Sequence, residues 1–310
     1  MPAELKPYQP SRPVRFVTAA SLFDGHDAAI NIMRRILQAT GAEVVHLGHN
    51  RAAAEIVGAA VQEDADAIAV SSYQGGHLEF FKYMIDLLKE AGCEHIRVYG
   101  GGGGVIIPEE ITELEDYGVA KIFSPDDGRK IGLQGMINYM IQEVDASRTD
   151  GFKIEAFKEF RPDAARLLAQ SITTVERLKA GDDGAKALAP LQKLAKAHQV
   201  PVIGVTGTGG SGKSSLTDEL VRRFLLDDEK ATVAIVSIDP SRRKTGGALL
   251  GDRIRMNAIS SPRVYMRSLA TRTSHTEITD SLAEAILVCQ AAGFSLIFVE
   301  TAGIGQGDAE

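Results

Sequence analysis

The sequence predicts an α/β protein with two parallel β-sheets joined by a helical segment, and three observations support this prediction. Short apolar runs alternate with helical patterns over the first part of the chain. A charged, alanine-rich stretch interrupts that alternation at residues 145–200, and strand and helix patterns resume at Val200. We therefore expect a first domain at 1–147, a helical linker or helical arm at 148–199, and a second domain at 200–310.

Five strand-and-helix pairs account for the first domain. The helical patterns place apolar residues three and four positions apart, as Ile30, Met33 and Ile36 illustrate. The expected strands are 14–20, 43–48, 66–72, 95–100 and 119–123. The expected helices lie near 27–40, 51–63, 77–91 and 128–144, with a short one after the glycine run at 100–104. Such a series predicts a doubly wound parallel sheet that binds its ligand at the carboxyl ends of the strands.

The second domain repeats this alternation with fewer elements. Strands are expected at 200–206, 232–239 and 295–301, and helices near 213–226 and 278–292. Within the preceding linker, Gly181–Gly184 is expected to form a turn between two helices. Because the last strand lies so near the end of the sequence, we expect this second domain to be incomplete.

Composition narrows the class of protein. The chain has 310 residues and a net charge of -7, which gives no overall electrostatic reason to bind nucleic acid or an anionic membrane. Its two cysteines, Cys93 and Cys289, form no CxxC pair, so we expect small buried side chains rather than a disulfide scaffold or zinc ribbon. The start is polar and proline-rich, without the apolar segment of a signal peptide. We expect a cytoplasmic protein with neither a nucleic-acid nor a membrane partner.

The segment Gly207–Ser214 reads GTGGSGKS and fits the pattern GxxxxGK[ST], with an apolar strand before it and a helix after it. Glycines let backbone N–H groups surround phosphates, and the helix N-terminus adds a partial positive charge. Lys213 is expected to reach the β- and γ-phosphates, and the Ser214 hydroxyl to bind Mg²⁺. The motif predicts a P-loop that binds a nucleoside triphosphate with magnesium, rather than a glycine-rich turn without a ligand.

Acidic residues lie at or after the ends of the expected strands, where a magnesium site would form. Asp239 and Glu300 end two apolar runs, and Asp252 lies in the loop between them. Carboxylates complete the oxygen shell that Mg²⁺ prefers, although each of these acids could instead be a solvated loop carboxylate. Lys213, Asp239 and Glu300 are the candidate catalytic residues.

The loop that contains Asp252 also carries several cations, any of which could contact phosphate or be a solvated surface charge. These cations are Arg242, Arg243, Lys244, Arg253 and Arg255. The candidate nucleotide-binding residues are Gly207, Gly209, Gly210, Ser211, Gly212, Lys213, Ser214, Ser215 and Arg255. No [NT]KxD segment follows, so the residues themselves leave GTP and ATP open.

The loop after the first strand reads Asp24-Gly25-His26-Asp27. A neutral imidazole is a good transition-metal ligand, and a carboxylate two residues away can accept a hydrogen bond from its other ring nitrogen and fix the tautomer. Two glycine-rich loops, 71–77 and 100–104, are expected at the same sheet edge. Together they predict an opening for a bulky group, although a loop histidine in an empty domain would also fit.

These three loops resemble the pattern DxHxxG…SxL…GG of the cobalamin-binding domain in adenosylcobalamin mutases and methionine synthase. The resemblance implies a flavodoxin-like domain in which His26 is the lower axial ligand of cobalt and Asp24 is its hydrogen-bond partner. Two residues depart from the pattern: Ala29 replaces its glycine and Tyr73 its leucine. The implied cobalamin-binding residues are Asp24, Gly25, His26, Asp27, Ser71, Ser72, Tyr73, Gly75, Gly101, Gly102 and Gly103.

The segments PSRRKTGGALLGDRIRM and VETAGIGQ resemble the G-protein metallochaperones that service cobalamin-dependent acyl-CoA mutases. In that family the nucleotide is GTP, and its hydrolysis gates the loading and release of the cofactor. The resemblance implies that Ser214, Asp239, Asp252 and Glu300 are the magnesium ligands.

The order of the parts resembles the fused isobutyryl-CoA mutases. This implies adenosylcobalamin, GTP and Mg²⁺ as cofactors, a homodimeric full-length protein, and an acyl-CoA substrate that binds to a mutase domain absent from this chain. We expect no mutase activity from the chain alone. Two alternatives stay open: a stand-alone cobalamin-loading GTPase that serves a separate mutase, and a cobalamin-dependent sensor with a nucleotide switch.

Overall fold

The structure, a computed structural model, describes residues 5–147, 160–177, 182–242, 245–272, 279 and 281–303. The chain divides into two compact units. Of the described residues, the first unit contains 5–61, 65–147 and 245–249, and the second contains the others.

Strands and helices alternate through most of both units. The strands are β1 (Arg15–Ala20), β2 (Glu43–His46), β3 (Ala67–Ser71), β4 (Arg97–Gly101), β5 (Lys121–Phe123), β6 (Val202–Val205), β7 (Val233–Asp239), β8 (Ala248–Leu250), β9 (Val264–Ala270) and β10 (Leu296–Glu300). The helices are α1 (Ala28–Ala39), α2 (Ala53–Gln62), α3 (His77–Glu90), α4 (Pro108–Tyr117), α5 (Pro125–Ser147), α6 (Ala165–Arg177), α7 (Asp182–His198), α8 (Lys213–Asp227) and α9 (Leu282–Ala291).

The sheet of the first unit has the strand order β5-β4-β3-β1-β2-β8, and β1 to β5 are parallel. The chain adds β2 on one side of β1 and then β3, β4 and β5 on the other, which is the predicted doubly wound arrangement. In the register, Ala20 lies opposite Ser71, and Ser71 lies opposite Gly101. The loops after β1, β3 and β4 therefore leave the same edge of the sheet. The short strand β8 was not expected from the sequence.

The core of the first unit explains why its strands are rich in apolar residues. Every residue of β1, β2 and β3 is buried, as expected for parallel strands covered on both faces. One apolar cluster joins Phe16 and Val44 of the sheet to Leu37 of α1 and Ile141 of α5. The helix α5 is interrupted at Gly132, whose φ of 67° is readily adopted only by glycine.

The sheet of the second unit has the order β6-β10-β7-β9, and all pairings between these strands are parallel. The expected strands at 200–206, 232–239 and 295–301 correspond to β6, β7 and β10, whereas β9 was missed. Within β9, Arg267 is only 1% exposed. Its guanidinium donates to Glu176 Oε2 of α6 at 2.7 Å and to Thr173 Oγ1 at 2.9 Å.

The helices of the expected linker pack inside this second unit. Leu168 and Ile172 of α6 and Leu191 of α7 share a core with Val236 of β7 and Val288 of α9. The predicted turn at Gly181–Gly184 is wrong, because α7 already begins at Asp182; Gly181 lies outside the described residues. In the part of the chain that the structure describes, no helix is both long and apolar enough to cross a membrane.

Candidate functional site

The loop after β1 holds the histidine and its carboxylate partner in contact. The Asp24 side chain is buried, and its Oδ1 accepts hydrogen bonds from the His26 backbone N–H at 2.8 Å and from His26 Nδ1 at 2.9 Å. Its Oδ2 accepts a third from the Tyr73 backbone N–H at 2.7 Å. Burial alone would raise the pKa of Asp24, but these hydrogen bonds together lower it below its ordinary value of 3.8.

Because Asp24 is a carboxylate and only accepts hydrogen bonds, it places the proton of the neutral imidazole on Nδ1. The lone pair of His26 is then on Nε2. The His26 side chain is 76% exposed, so this nitrogen is accessible to a ligand. The geometry is that of a metal-binding histidine oriented by a second residue.

An apolar cavity of about 350 Å³ opens against the same edge of the sheet. Ile30 and Met33 of α1 and Met136 and Met140 of α5 form two of its sides. The other lining residues are Ala29, Ile32, Ala69, Val70, Ser71, Tyr73, Tyr99, Gly100, Gly101, Gly102, Gly103, Phe123, Ser124, Pro125, Gly128 and Leu133. A ligand pocket of this kind is largely apolar with few polar groups.

One polar atom in this lining needs a partner. Ser71 Oγ is buried and makes no hydrogen bond with any residue that the structure describes. An isolated buried hydroxyl is unfavourable unless a ligand or water satisfies it. The cavity therefore suits a group that is largely apolar and carries a hydrogen-bonding atom.

Two glycines of the loop after β4 are required by close packing. A Cβ at Gly102 would lie 2.2 Å from the backbone oxygen of Ser72. Gly103 has a φ of 58°, and a Cβ there would lie 2.4 Å from the Tyr73 ring. These contacts bring the loops after β3 and β4 together, as the sequence predicted.

The remaining predicted cobalamin residues lie elsewhere in these loops. Ser72 and Gly75 line a second cavity of about 370 Å³. Gly25 has open space around its Cα, and Asp27 is the residue that precedes α1. Neither Gly25 nor Asp27 lines a cavity described here, and no contact in the structure assigns either of them a binding role.

The segment Gly207–Ser214 forms a turn between β6 and the start of α8. Gly207, Gly210 and Gly212 have φ values of 152°, 77° and 84°, which disfavour any residue with a side chain. Lys213 Nζ donates to the carbonyl oxygens of Gly207 and Thr208, both at 3.2 Å. The loop therefore has the backbone conformation and the cation that a phosphate-binding loop requires.

The predicted magnesium ligands lie around the start of α8 but are not all in contact. Ser214 Oγ donates to Glu300 Oε1 at 2.6 Å, and burial raises the pKa of Glu300. Asp252 accepts a hydrogen bond from Ser237 Oγ and forms a 3.5 Å ion pair with Arg255. Burial, together with the charge of Asp252, holds the pKa of Asp239 well above its usual range.

A cation would relieve this cluster of buried acids. Asp239 Oδ2 is buried and has no hydrogen-bond partner in the described part of the chain. Within that same part, no three His, Cys, Asp or Glu side chains are close enough to hold a metal by themselves. The arrangement therefore fits Mg²⁺, which takes only one or two protein carboxylates and completes its shell with phosphate oxygens and water.

The basic residues between β7 and β9 differ in their contacts. Arg243 and Lys244 lie outside the described residues. Arg253 is buried and donates to the backbone oxygen of Met266 at 2.7 Å, so it is a structural residue. Arg255 is the one of this group that pairs with a predicted magnesium ligand within the described residues.

Comparison with known proteins assigns a family to each half of the chain. Residues 14–128 match the B12 binding domain, and residues 168–310 match the methylmalonyl Co-A mutase-associated GTPase MeaB. Fused isobutyryl-CoA mutases from Geobacillus kaustophilus and Cupriavidus metallidurans are each 61% identical to this chain over 97% of its length. One from Nocardia farcinica is 56% identical, also over 97%.

The chain spans about 28% of the length of these relatives. Together with the two domain matches, the similarity confirms the α/β fold class that the sequence predicts. It also confirms the expected cofactors: adenosylcobalamin in the first unit, and GTP with Mg²⁺ in the second.

Proposed function

This chain belongs to the fused isobutyryl-CoA mutases, of which it contains the B12-binding and MeaB-type GTPase domains, and we propose that its residues couple the two cofactors. The proposal extends to the whole protein, which would interconvert isobutyryl-CoA and n-butyryl-CoA as a cytoplasmic homodimer. The chain alone has no mutase activity in this proposal, since it spans about 28% of its relatives. The observation that carries the proposal is the Asp24–His26 pair beside the apolar cavity.

His26 would be the lower axial ligand of cobalt through Nε2. Asp24 holds the proton on Nδ1, which fixes the ring and makes Nε2 a better donor to the metal. The nucleotide tail of the cofactor, displaced from cobalt by the imidazole, would enter the cavity between the sheet and α1 and α5, where Ser71 supplies a hydroxyl. When bound, adenosylcobalamin supplies the carbon radical that the isomerisation requires.

The second unit would bind GTP at the loop 207–214. The backbone N–H groups of this loop and Lys213 would hold the phosphates, while Ser214 would bind Mg²⁺. Asp239, Asp252 and Glu300 would balance the charge of the metal. We propose that hydrolysis at this site gates the loading of cobalamin, and that Ser215 and Arg255 complete the nucleotide contacts.

The packing of the helices supports the domain boundaries that we propose. We propose that the first domain ends near residue 147. Because α6 and α7 share a core with β7 and α9, we assign these helices to the GTPase domain as its helical arm.

The cobalamin assignment is tested with His26→Ala. The wild-type chain should bind adenosylcobalamin with the absorption spectrum of a histidine-ligated cofactor, and His26→Ala should lose that spectrum. His49→Ala is the matched control, since His49 is an exposed histidine near the same sheet edge. An unchanged spectrum for His26→Ala would show that another residue ligates the cobalt.

The nucleotide assignment is tested with Lys213→Ala. Each hydrogen bond from a charged group contributes about 1.5–3 kcal/mol, so we expect Mg–GTP affinity to fall by about 10- to 100-fold. Isothermal titration calorimetry measures this, with the exposed Lys230→Ala as control. Wild-type affinity in Lys213→Ala would contradict the assignment.

A further inference from the structure

Phe23 is an apolar side chain that the fold turns outward. It lies in the tight turn between β1 and His26, and it is 80% exposed, the largest exposed fraction among the large hydrophobic residues of the described chain. Its φ is 62°, in the left-handed region that bulky residues rarely adopt. Folding alone would favour glycine or asparagine at this position.

The turn is held in this conformation from two sides. The Phe23 backbone N–H donates to Asn50 Oδ1 at 2.8 Å, and the Gln74 amide donates to the carbonyl oxygen of Leu22. Ser21 Oγ bonds to Ser72 Oγ at 3.0 Å. All of these bonds use backbone atoms or polar side chains, so none of them needs the phenyl ring.

The second cavity, of about 370 Å³, lies directly against this ring. Its lining combines apolar and aromatic residues with polar ones: Leu22, Phe23, Phe80 and Tyr83, and Ser21, Ser72, Gln74, Gly75, Gly76 and Glu79. The cavity shares the turn 21–24 with the Asp24–His26 pair.

We propose that Phe23 is a binding residue for the corrin ring of cobalamin held at His26. This inference rests on the proposed cobalamin function. A macrocycle held through its central metal by His26 would cover the surface around this residue, and Phe23 is three residues away in the same short loop. The corrin edge carries methyl groups and amide side chains, which suit a phenyl ring beside a cavity lined by both apolar and polar residues.

The strained backbone is consistent with this role. Uncommon conformations persist at ligand sites because neighbouring contacts fix them, as Asn50 and Gln74 do here. The exposed ring gains its buried contacts only when the cofactor is bound, which explains why a phenylalanine occupies a position better suited to glycine.

The experiment separates strain from binding with Phe23→Gly and Phe23→Leu. Thermal unfolding of the cobalamin-free chain should give Phe23→Gly a midpoint equal to or above that of the wild type, because glycine adopts this φ without strain. Spectroscopic titration with adenosylcobalamin should show its affinity reduced ~10-fold or more by the loss of aromatic burial. Phe23→Leu, which retains an apolar side chain, should bind within a few-fold of the wild type.

Gln199→Gly is the matched control, since Gln199 has a φ of 50° and lies in the other unit. It should leave cobalamin affinity unchanged. Wild-type cobalamin affinity in Phe23→Gly would overturn the inference. A thermal unfolding midpoint lowered as much as by the truncation of a core side chain would also overturn it. If the wild-type chain shows no His26-dependent spectrum, the proposed function fails. If the wild-type chain shows that spectrum and Phe23→Gly binds cobalamin with wild-type affinity, only this inference fails.

Discussion

The Asp24 carboxylate offers the sharpest test of how this site is built. Asp24→Asn keeps the size and shape of the side chain but replaces one acceptor oxygen with an NH₂ donor. All three groups that face this side chain are donors: the backbone N–H and Nδ1 of His26, and the backbone N–H of Tyr73. An asparagine has a single acceptor oxygen, so it can accept hydrogen bonds from His26 or from Tyr73 but not from both.

The expected loss of stability follows from the hydrogen bonds that the asparagine would keep and lose. With its oxygen toward His26, the new amide would retain two hydrogen bonds and place its NH₂ group against the Tyr73 N–H. A buried donor without a partner costs about 1–3 kcal/mol, and the two retained bonds lose their ionic character. We expect the free energy of unfolding at pH 7 to fall by about 2–3 kcal/mol. Cobalamin affinity should fall by roughly 10- to 100-fold, as for other partners of metal-ligating histidines.

Urea unfolding and spectroscopic titration with adenosylcobalamin measure the two effects. Because the folded pKa of Asp24 is lowered, its ionised form stabilises the wild type above about pH 4, and this contribution is lost as the pH falls through the folded pKa. The difference between wild type and Asp24→Asn should therefore shrink in acid. Asp116→Asn, at an exposed position of α4, is the control. Equal cobalamin affinity in Asp24→Asn and the wild type would refute the orienting role of Asp24.

Three further predictions follow from buried groups. Burial lowers the pKa of His46 to about 4, so stability should fall by about 2–3 kcal/mol as the pH drops from 6.5 to 4, and denaturant unfolding of His46→Gln should lack this dependence. Gly102→Ala should destabilise the chain by about 2–3 kcal/mol in the same assay, because its Cβ would meet the Ser72 backbone oxygen; a wild-type value would mean that the loop can move aside. Glu176→Ala should lower the free energy of unfolding by about 3–5 kcal/mol, since it leaves Arg267 buried without its counter-ion, whereas Arg267→Met should cost less because Glu176 keeps its ion pair with Arg272 at 3.1 Å.

Local patterns in the sequence predicted most of the fold. Runs such as VRFVTAA and SLIFVET are rich in apolar residues because parallel strands are buried on both faces, and both are strands in the structure. The strand β9 was missed, and its sequence places the charged Arg267 among apolar residues. The partner that makes this buried arginine compatible with the strand lies on α6, distant in sequence.

In the candidate site too, contacts within one loop could be predicted from the sequence, whereas contacts between distant segments could not. The contact between Asp24 and His26 was predictable because both residues belong to one short loop. The hydrogen bond from the Tyr73 backbone and the cavity side formed by Met136 and Met140 depend on loops and helices brought together by the sheet. No local pattern contains that information.

The burial of Cys93 and Cys289 was predicted correctly from composition alone.

The ion pair between Arg267 and Glu176 has a practical consequence for dissecting this protein. It joins a strand of the GTPase sheet to α6, and both side chains are only 1% exposed. A piece cut to begin at Val200, where the strand pattern resumes, would retain the arginine and discard its counter-ion. The smallest fragment of the second unit that can fold should therefore begin before Ala165. In related sequences, the two positions should change together rather than one at a time.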